Sequence, residues 1–145
     1  MSENYHENGI LKHTLAPAIL EQDLEIKLKL TVKKFAKLLN LKGLLTIELF
    51  QRNNDLIFNE IAPRPHNSGH WTMDACNVSQ FEALVRVIFD MPIPHIKYYH
   101  NCKMINILGE NYNVIEKSLN KKNHKLYIYG KDEIKEGRKL GHINI

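Results

Sequence analysis

The sequence predicts an α+β protein, and three observations carry that reading. Residues 19–40 repeat apolar side chains at helical spacing. Residues 44–62 hold two apolar runs divided by a polar turn. The last third alternates short apolar runs with one amphipathic stretch.

The elements follow in order. Residues 9–18 read as an extended segment ending in a proline turn. In 19–40, Leu20, Leu24, Leu28, Val32, Phe35 and Leu39 recur in steps of three and four, one stripe of an amphipathic helix with lysines opposite. Asn40-Leu41-Lys42-Gly43 supplies its stop. Strands at 44–52 and 56–62 flank Asn53-Asn54-Asp55, a hairpin signal. With those three residues as the loop, Arg52 faces Leu56, Phe50 faces Phe58 and Glu48 faces Glu60; a two-residue loop would shift this register. As a regular strand residue, Asn59 points to the other face. Ser79-Gln80-Phe81-Glu82 has the capping-box form and opens a helix through Phe81, Leu84, Val85, Ile88 and Phe89, closed by Pro92 and Pro94. A connector runs to about residue 101. Strand 104–108, a short helix at 114–119, strand 125–129, a charged turn and strand 142–145 complete the chain. A boundary near 92–101 divides the chain into 1–91 and 92–145.

Composition bounds the function. With 145 residues, 43% hydrophobic and 25% charged, the chain has the makeup of a soluble globular domain, and is short for a complete two-substrate enzyme. A net charge of +4 favours anionic partners. Without a compact basic block or arginine–aromatic pattern, phosphorylated small molecules are preferred over nucleic acid. Cys76 and Cys102 have no CxxC spacing and read as a reduced pair. No run is long enough to span a bilayer and the first residues resemble no signal peptide, which leads to the expectation of a cytoplasmic protein.

The densest chemistry lies in Asn59-Glu60-Ile61-Ala62-Pro63-Arg64-Pro65-His66-Asn67-Ser68-Gly69-His70-Trp71-Thr72. Two prolines and a glycine keep most of it from being helical. Glu48 and Glu60, opposed across the hairpin, repel unless a cation lies between them. A magnesium ion completed by substrate phosphates suits them, and so does the plain alternative of two solvated acids. Arg64, between two prolines, suits bidentate binding of a carboxylate, bicarbonate or phosphoryl group, or it balances Glu60. His66 and His70 lack a third ligand for zinc. Asn67, Ser68 and Gly69 read as a turn offering hydrogen bonds to an anion. Lys131 and Arg138, beside glycines, could hold a phosphate monoester or form a charged surface turn.

The run NEIAPRPHNSGHWTMDACNVSQFE, with TIELF before it and LYIYGK and GRKLGH after, resembles the ATPase-type 5-(carboxyamino)imidazole ribonucleotide synthases of the ATP-grasp superfamily. The resemblance runs from about Glu3 to the C-terminus. It implies the C-terminal half of an ATP-grasp domain, an antiparallel sheet with helices, followed by a small β-rich C-terminal domain. It also implies a chemistry: ATP and bicarbonate, through carboxyphosphate, carboxylate aminoimidazole ribonucleotide in purine biosynthesis. On it, Glu48 and Glu60 look like the magnesium ligands and Asn59 and Glu60 the nucleotide side. Arg64, His66, Asn67 and His70 look like the residues that position bicarbonate, and Lys131 and Arg138 the grip on the ribonucleotide phosphate. Family members are homodimers with an N-terminal portion whose lysine and backbone clamp the nucleotide. The chain is expected to need that portion and to be inactive alone. The alternatives are a formate-dependent glycinamide ribonucleotide transformylase-like enzyme, disfavoured by the HNSGHW run, and a non-catalytic phosphate-binding remnant.

Overall fold

A computed structural model describes residues 1–52 and 55–145. They form two compact units interleaved along the chain: one of residues 1–18, 67–77 and 97–145, the other of residues 19–66 and 78–96. Two stretches of the first 91 residues, 1–18 and 67–77, pack with residues 97–145.

The first unit is a five-stranded antiparallel sheet. Its strands are β1 (Glu3–Glu7), β2 (Ile10–Ala16), β5 (Cys102–Leu108), β6 (Lys125–Ile128) and β7 (Lys139–Asn144), in spatial order β1-β2-β5-β7-β6. The β1–β2 hairpin was not foreseen, although Asn8-Gly9 signals it. Both residues have positive φ, 51° and 75°, and Glu7 pairs directly with Ile10 across a two-residue turn. The helix α4 (Val114–Leu119) lies where its sequence places it. β7 begins three residues earlier than expected, at Lys139.

One face of this sheet is set by register. Met104 pairs with Asn144, which pairs with Lys125, and Asn106 pairs with His142, which pairs with Tyr127. Residues 67–77, containing a 3-10 turn at Asn67–Gly69 and the short helix α2 (Thr72–Ala75), are held to the sheet by burial. Trp71, Ala75 and Cys76 form one buried cluster with Leu11, Ala16, Cys102 and Met104. A second cluster joins Ile107, Leu140 and Ile143 to Val114, Ile115 and Leu126.

The second unit contains α1 (Gln22–Leu38), the hairpin of β3 (Thr46–Arg52) and β4 (Asp55–Ala62), and α3 (Gln80–Ile88). α1 ends in a Schellman motif. Asn40, at φ 46°, sends its N–H to the Lys37 carbonyl, and the Leu41 N–H reaches the Ala36 carbonyl. The stop is therefore the one predicted, with asparagine in the left-handed position. At the start of α3, Ser79 Oγ accepts from the Glu82 N–H at 3.1 Å, one arm of the predicted capping box.

This second unit is thinly covered. Neither α1 nor α3 contains a buried residue. Phe35, on the predicted stripe, lies 6.5 Å from the Phe58 ring. Yet Leu38 and Phe89 are more than 70% exposed, and Leu30, Phe50 and Ile88 more than half. That much apolar surface on two helices and one hairpin marks a face built to be covered.

Gly141 sits in the middle of β7, where a β-carbon would meet the Tyr127 carbonyl oxygen at 2.2 Å. Because that neighbour is backbone, it cannot swing away. Gly141→Ala is expected to destabilise the sheet by about 3 kcal/mol, read as a lower urea midpoint with an unchanged slope.

Candidate functional site

In the second unit the acid pair forms, by a route the sequence did not show. Arg52 pairs with Asp55, Gln51 with Leu56, Phe50 with Ile57 and Leu49 with Phe58. The connection is thus one residue shorter than the predicted loop, of which Asn53 and Asn54 lie outside the described residues. That shift corrects the expected Arg52–Leu56 and Phe50–Phe58 pairs. A β-bulge between Glu48 and Leu49 then inserts Asn59, and beyond it Glu48 faces Glu60, Ile47 faces Ile61 and Thr46 faces Ala62. One extra residue cancels the one-residue slip.

The bulge also corrects the reading of Asn59. It does not turn away: Asn59 Nδ2 donates to Glu48 Oε2 at 3.1 Å. Glu60 Oε1 lies 2.8 Å from His66 Nε2, and this imidazole is buried. His66 is fixed from α3, since its N–H donates to Gln80 Oε1 at 2.9 Å and its carbonyl accepts from Gln80 Nε2 at 2.8 Å. Two bonded pairs, Asn59 with Glu48 and His66 with Glu60, thus meet at adjacent residues of β4. Arg64 is exposed between Pro63 and Pro65 and donates to the Pro65 carbonyl at 3.1 Å. Among the described residues Glu60 is hydrogen-bonded to His66 and makes no ion pair with Arg64.

The two carboxylates offer hard oxygen donors from directly opposed positions, with β-carbons about 5 Å apart in such a pair. Among the described residues no group of three or more His, Cys, Asp or Glu is arranged to hold a metal. The site thus suits a cation that takes two protein carboxylates and completes its shell from substrate, as magnesium does, rather than zinc.

The chain passes into the first unit between His66 and Asn67, so the predicted loop is divided. There Asn67, His70 and Thr72 make a closed turn: the His70 N–H reaches the Asn67 carbonyl and Thr72 Oγ1 donates to the Gly69 carbonyl at 2.6 Å. The turn is anchored on β7. Asn144 Nδ2 donates to the His70 carbonyl at 3.2 Å and to Asp74 Oδ2 at 2.6 Å, while the Lys139 ammonium bonds Asn67 Oδ1. Tyr127 Oη donates to both Asp74 oxygens at 3.0 and 3.1 Å. His142 stacks on Tyr127, with ring centroids 4.5 Å apart, and its Nδ1 lies 2.7 Å from Tyr129 Oη.

Burial governs the acidity of this group. It pushes Tyr127 up to about 12, with Asp74 adding to the shift, and Tyr129 likewise to about 12. It lowers His142 to about 4, reinforced by Lys139, and lowers Lys139 to about 7, reinforced by Lys131. Both bases are therefore disposed to lose their protons. Cys76 and Cys102 are free and buried, and burial raises the Cys102 thiol to about 11.

Lys131 and Arg138 lie on the charged turn between β6 and β7. Arg138 Nη1 donates to Glu133 Oε2 at 3.2 Å, so a phosphate would have to displace that carboxylate. The turn is pinned by Glu110, which accepts from the Gly137 N–H at 2.8 Å and from Lys12 Nζ at 3.0 Å. The Gly137 N–H first, and Lys12 after it, hold the Glu110 carboxyl at about 2. Sequence reasoning missed Asp74, Tyr127, Tyr129, Lys139, His142 and Asn144 as a group. The signal lay in the strand Lys-Leu-Gly-His-Ile-Asn, where His142 and Asn144, two positions apart, share one sheet face.

A family model for the ATP-grasp domain matches residues 1–81, and one for the phosphoribosylaminoimidazole carboxylase C-terminal domain matches residues 102–145. The chain is 43% identical to the N5-carboxyaminoimidazole ribonucleotide synthase of Bacillus subtilis over 98% of its own length and 38% of that protein. It superposes on the Staphylococcus aureus N5-carboxyaminoimidazole synthetase complexed with ADP with a TM-score of 0.88, at 38% identity, over 99% of this chain and 40% of the other. The Aspergillus clavatus N5-carboxyaminoimidazole synthase, solved with ADP and 5-aminoimidazole ribonucleotide, gives 0.92 at 33% identity, over 99% and 41%. The chain spans about two fifths of the length of these relatives.

His142 generates a pH dependence with a definite sign. Its folded value lies below its unfolded one, near 6.5, so the unfolded chain binds more protons between pH 6.5 and 4. Its contribution is full above pH 6.5 and is lost as pH falls toward 4. The thermal midpoint of the wild type is expected to fall across that window, and that of His142→Gln to fall less. Equal slopes for the two proteins would contradict the assignment.

Proposed function

The chain belongs to the ATP-grasp family, and from that premise we propose that it supplies part of a ligase that uses ATP and bicarbonate to carboxylate aminoimidazole ribonucleotide. The observation that carries this reading is the acid pair Glu48–Glu60, restored by a bulge that also brings in Asn59. A bulge that weakens a ladder but regroups three polar side chains is expected at a working site.

In this reading Glu48 and Glu60 would hold magnesium at the nucleotide side of the site. Magnesium, when bound, draws charge from the transferring phosphoryl group. Asn59 fixes Glu48 through its amide, and His66, clamped by Gln80, fixes Glu60. Arg64, with its backbone restricted by two prolines, presents a guanidinium to bicarbonate and then to carboxyphosphate. The γ-phosphoryl group passes from ATP to a bicarbonate oxygen, releasing ADP. The amine of the ribonucleotide then attacks the carboxyphosphate carbon, expelling phosphate and losing a proton. Asn67 and His70 orient the carboxyl group, and Lys131 and Arg138 hold the ribonucleotide phosphate. Most of the work is positioning and charge stabilisation, which is what phosphoryl transfer asks of a protein.

The exposed apolar face of α1, α3 and the hairpin supports a dependence on further polypeptide of the kind the relatives carry beyond the matched two fifths. No described helix is long and apolar enough to cross a membrane.

The purified chain alone is expected to show no bicarbonate-dependent ATP hydrolysis in the presence of aminoimidazole ribonucleotide. With the complementary portion of a relative added, activity should appear, and Glu48→Gln or Glu60→Gln should reduce kcat about 10²-fold or more. Robust turnover by the chain alone would overturn the dependence. Wild-type rates in both variants would overturn the acid pair. Formate replacing bicarbonate as the co-substrate would point to the transformylase-like chemistry instead.

A further inference from the structure

The polar part of the β5–β7 sheet face carries three buried atoms that no bond described above satisfies. Asn106, His142 and Asn144 are each 2% exposed or less. Among the described residues Asn106 Oδ1, His142 Nε2 and Asn144 Oδ1 have no hydrogen-bond partner. Register sets them side by side: Asn106 pairs with His142, and Asn144 follows two positions along the same face. Side chains so placed stand about 5 to 8 Å apart at their β-carbons. Their orientations are fixed. Asn106 Nδ2 donates to the Leu11 carbonyl at 2.6 Å, and Asn144 Nδ2 donates to the His70 carbonyl and to Asp74 Oδ2. A flip of either amide would set oxygen against oxygen, so both Oδ1 atoms are acceptors. The His142 ring is packed by Tyr127 and His70, with centroids 4.5 and 4.9 Å away, and its Nδ1 lies 2.7 Å from Tyr129 Oη. Leaving three such atoms dry would be costly.

We propose that Asn106, His142 and Asn144 form a binding site for one internal water molecule. The donor count selects that guest. Two acceptor oxygens need two donated hydrogens, which a water has, and its own oxygen then accepts from the third partner, His142 Nε2–H. A neutral imidazole protonated at Nε2 is bare at Nδ1, and Nδ1 accepts the Tyr129 hydroxyl hydrogen. Every group is then satisfied in one direction: Tyr129 to Nδ1, Nε2–H to water, and water to both asparagines. Three partners is the usual number for a buried water. Ammonium is the other small guest with hydrogens to give, and it needs a bare Nε2. It would be a cation buried among neutral groups, where the charge of Lys139 acts on His142 more strongly than that of Asp74, which makes it the poorer guest. The water ties β5 to β7. It also commits the Tyr129 hydrogen inward, so that the Tyr129 oxygen keeps only lone pairs for any donor arriving from solvent.

The test uses the full chain in solution near neutral pH, with imidazole nitrogen NMR and magnetisation transfer between water and protein. The expected result is a His142 ring protonated at Nε2 and bare at Nδ1. Its Hε2 proton should show a cross-peak to water whose opposite sign in the rotating frame separates dipolar contact from hydrogen exchange. Asn106→Leu removes one acceptor and fills its space, and should lose that cross-peak and melt at a lower temperature than the wild type. Where that variant does not fold, the two wild-type readings decide. A ring protonated at Nδ1 with a bare Nε2 surrounds the site with three acceptors and overturns the water in favour of a cation such as ammonium. An Nε2–H without the cross-peak overturns it in favour of a dry donor. A folded Asn106→Leu that keeps the cross-peak overturns the three-point site. Each of these results leaves the ligase reading standing.

Discussion

Two like charges placed face to face across a β-ladder are tolerated only where something else draws them together, and this constraint organises the acid site. Glu48 and Glu60 are opposed because β4 carries one residue too many for its partner. Without Asn59 inserted as a bulge, the short connection would leave Glu48 facing Asn59 and Glu60 facing Ile47. The bulge residue donates to one acid and a buried histidine reaches the other. A local defect in the ladder thus does two things: it sets the register and it supplies a partner.

The first unit handles polarity by burial. Its sheet face changes character along β5 and β7, apolar at Met104 and polar at Asn106, His142 and Asn144. The segment 67–77 matches this, with Trp71 and Ala75 on the apolar part and Asp74 on the polar part. Buried polar groups stay where they can be satisfied, so Asn144, Asp74 and Tyr127 fix the segment more narrowly than apolar contact alone would. The same burial that orients the turn also disfavours charge on His142 and Lys139. Position and protonation in this unit therefore share one cause.

The second unit stands in contrast. A two-stranded hairpin needs cover to be stable, and here it has two helices without a single buried residue. Its aromatic and aliphatic side chains are instead left in solvent, Phe50 and Phe89 among them. The residues read as holding the metal and nucleotide lie on this less covered part. Electrostatic catalysis requires a site closed to water, so the exposed face and the proposed need for further polypeptide have one physical origin. The relatives' greater length is consistent with it.

Much of this protein was legible from the chain. Helical periodicity located α1 and α3, Asn40 marked the stop of α1, Ser79 and Glu82 marked the start of α3, and the run from Asn59 to Thr72 announced both the family and the candidate residues. These are local properties, decided by side chains within a turn or two of each other. The facing of Glu48 and Glu60 was reached from a loop one residue too long, and only an unforeseen bulge made it true. Register is a sum over a whole hairpin, and a bulge has no fixed signature in one strand. The division of the His66–His70 loop between two units, the pairing of Glu60 with His66, and the gathering of Asp74, Tyr127, His142 and Lys139 were not readable at all. Those contacts join residues up to 74 positions apart, and their positions are fixed by which strands lie side by side, a choice that only the folded sheet makes.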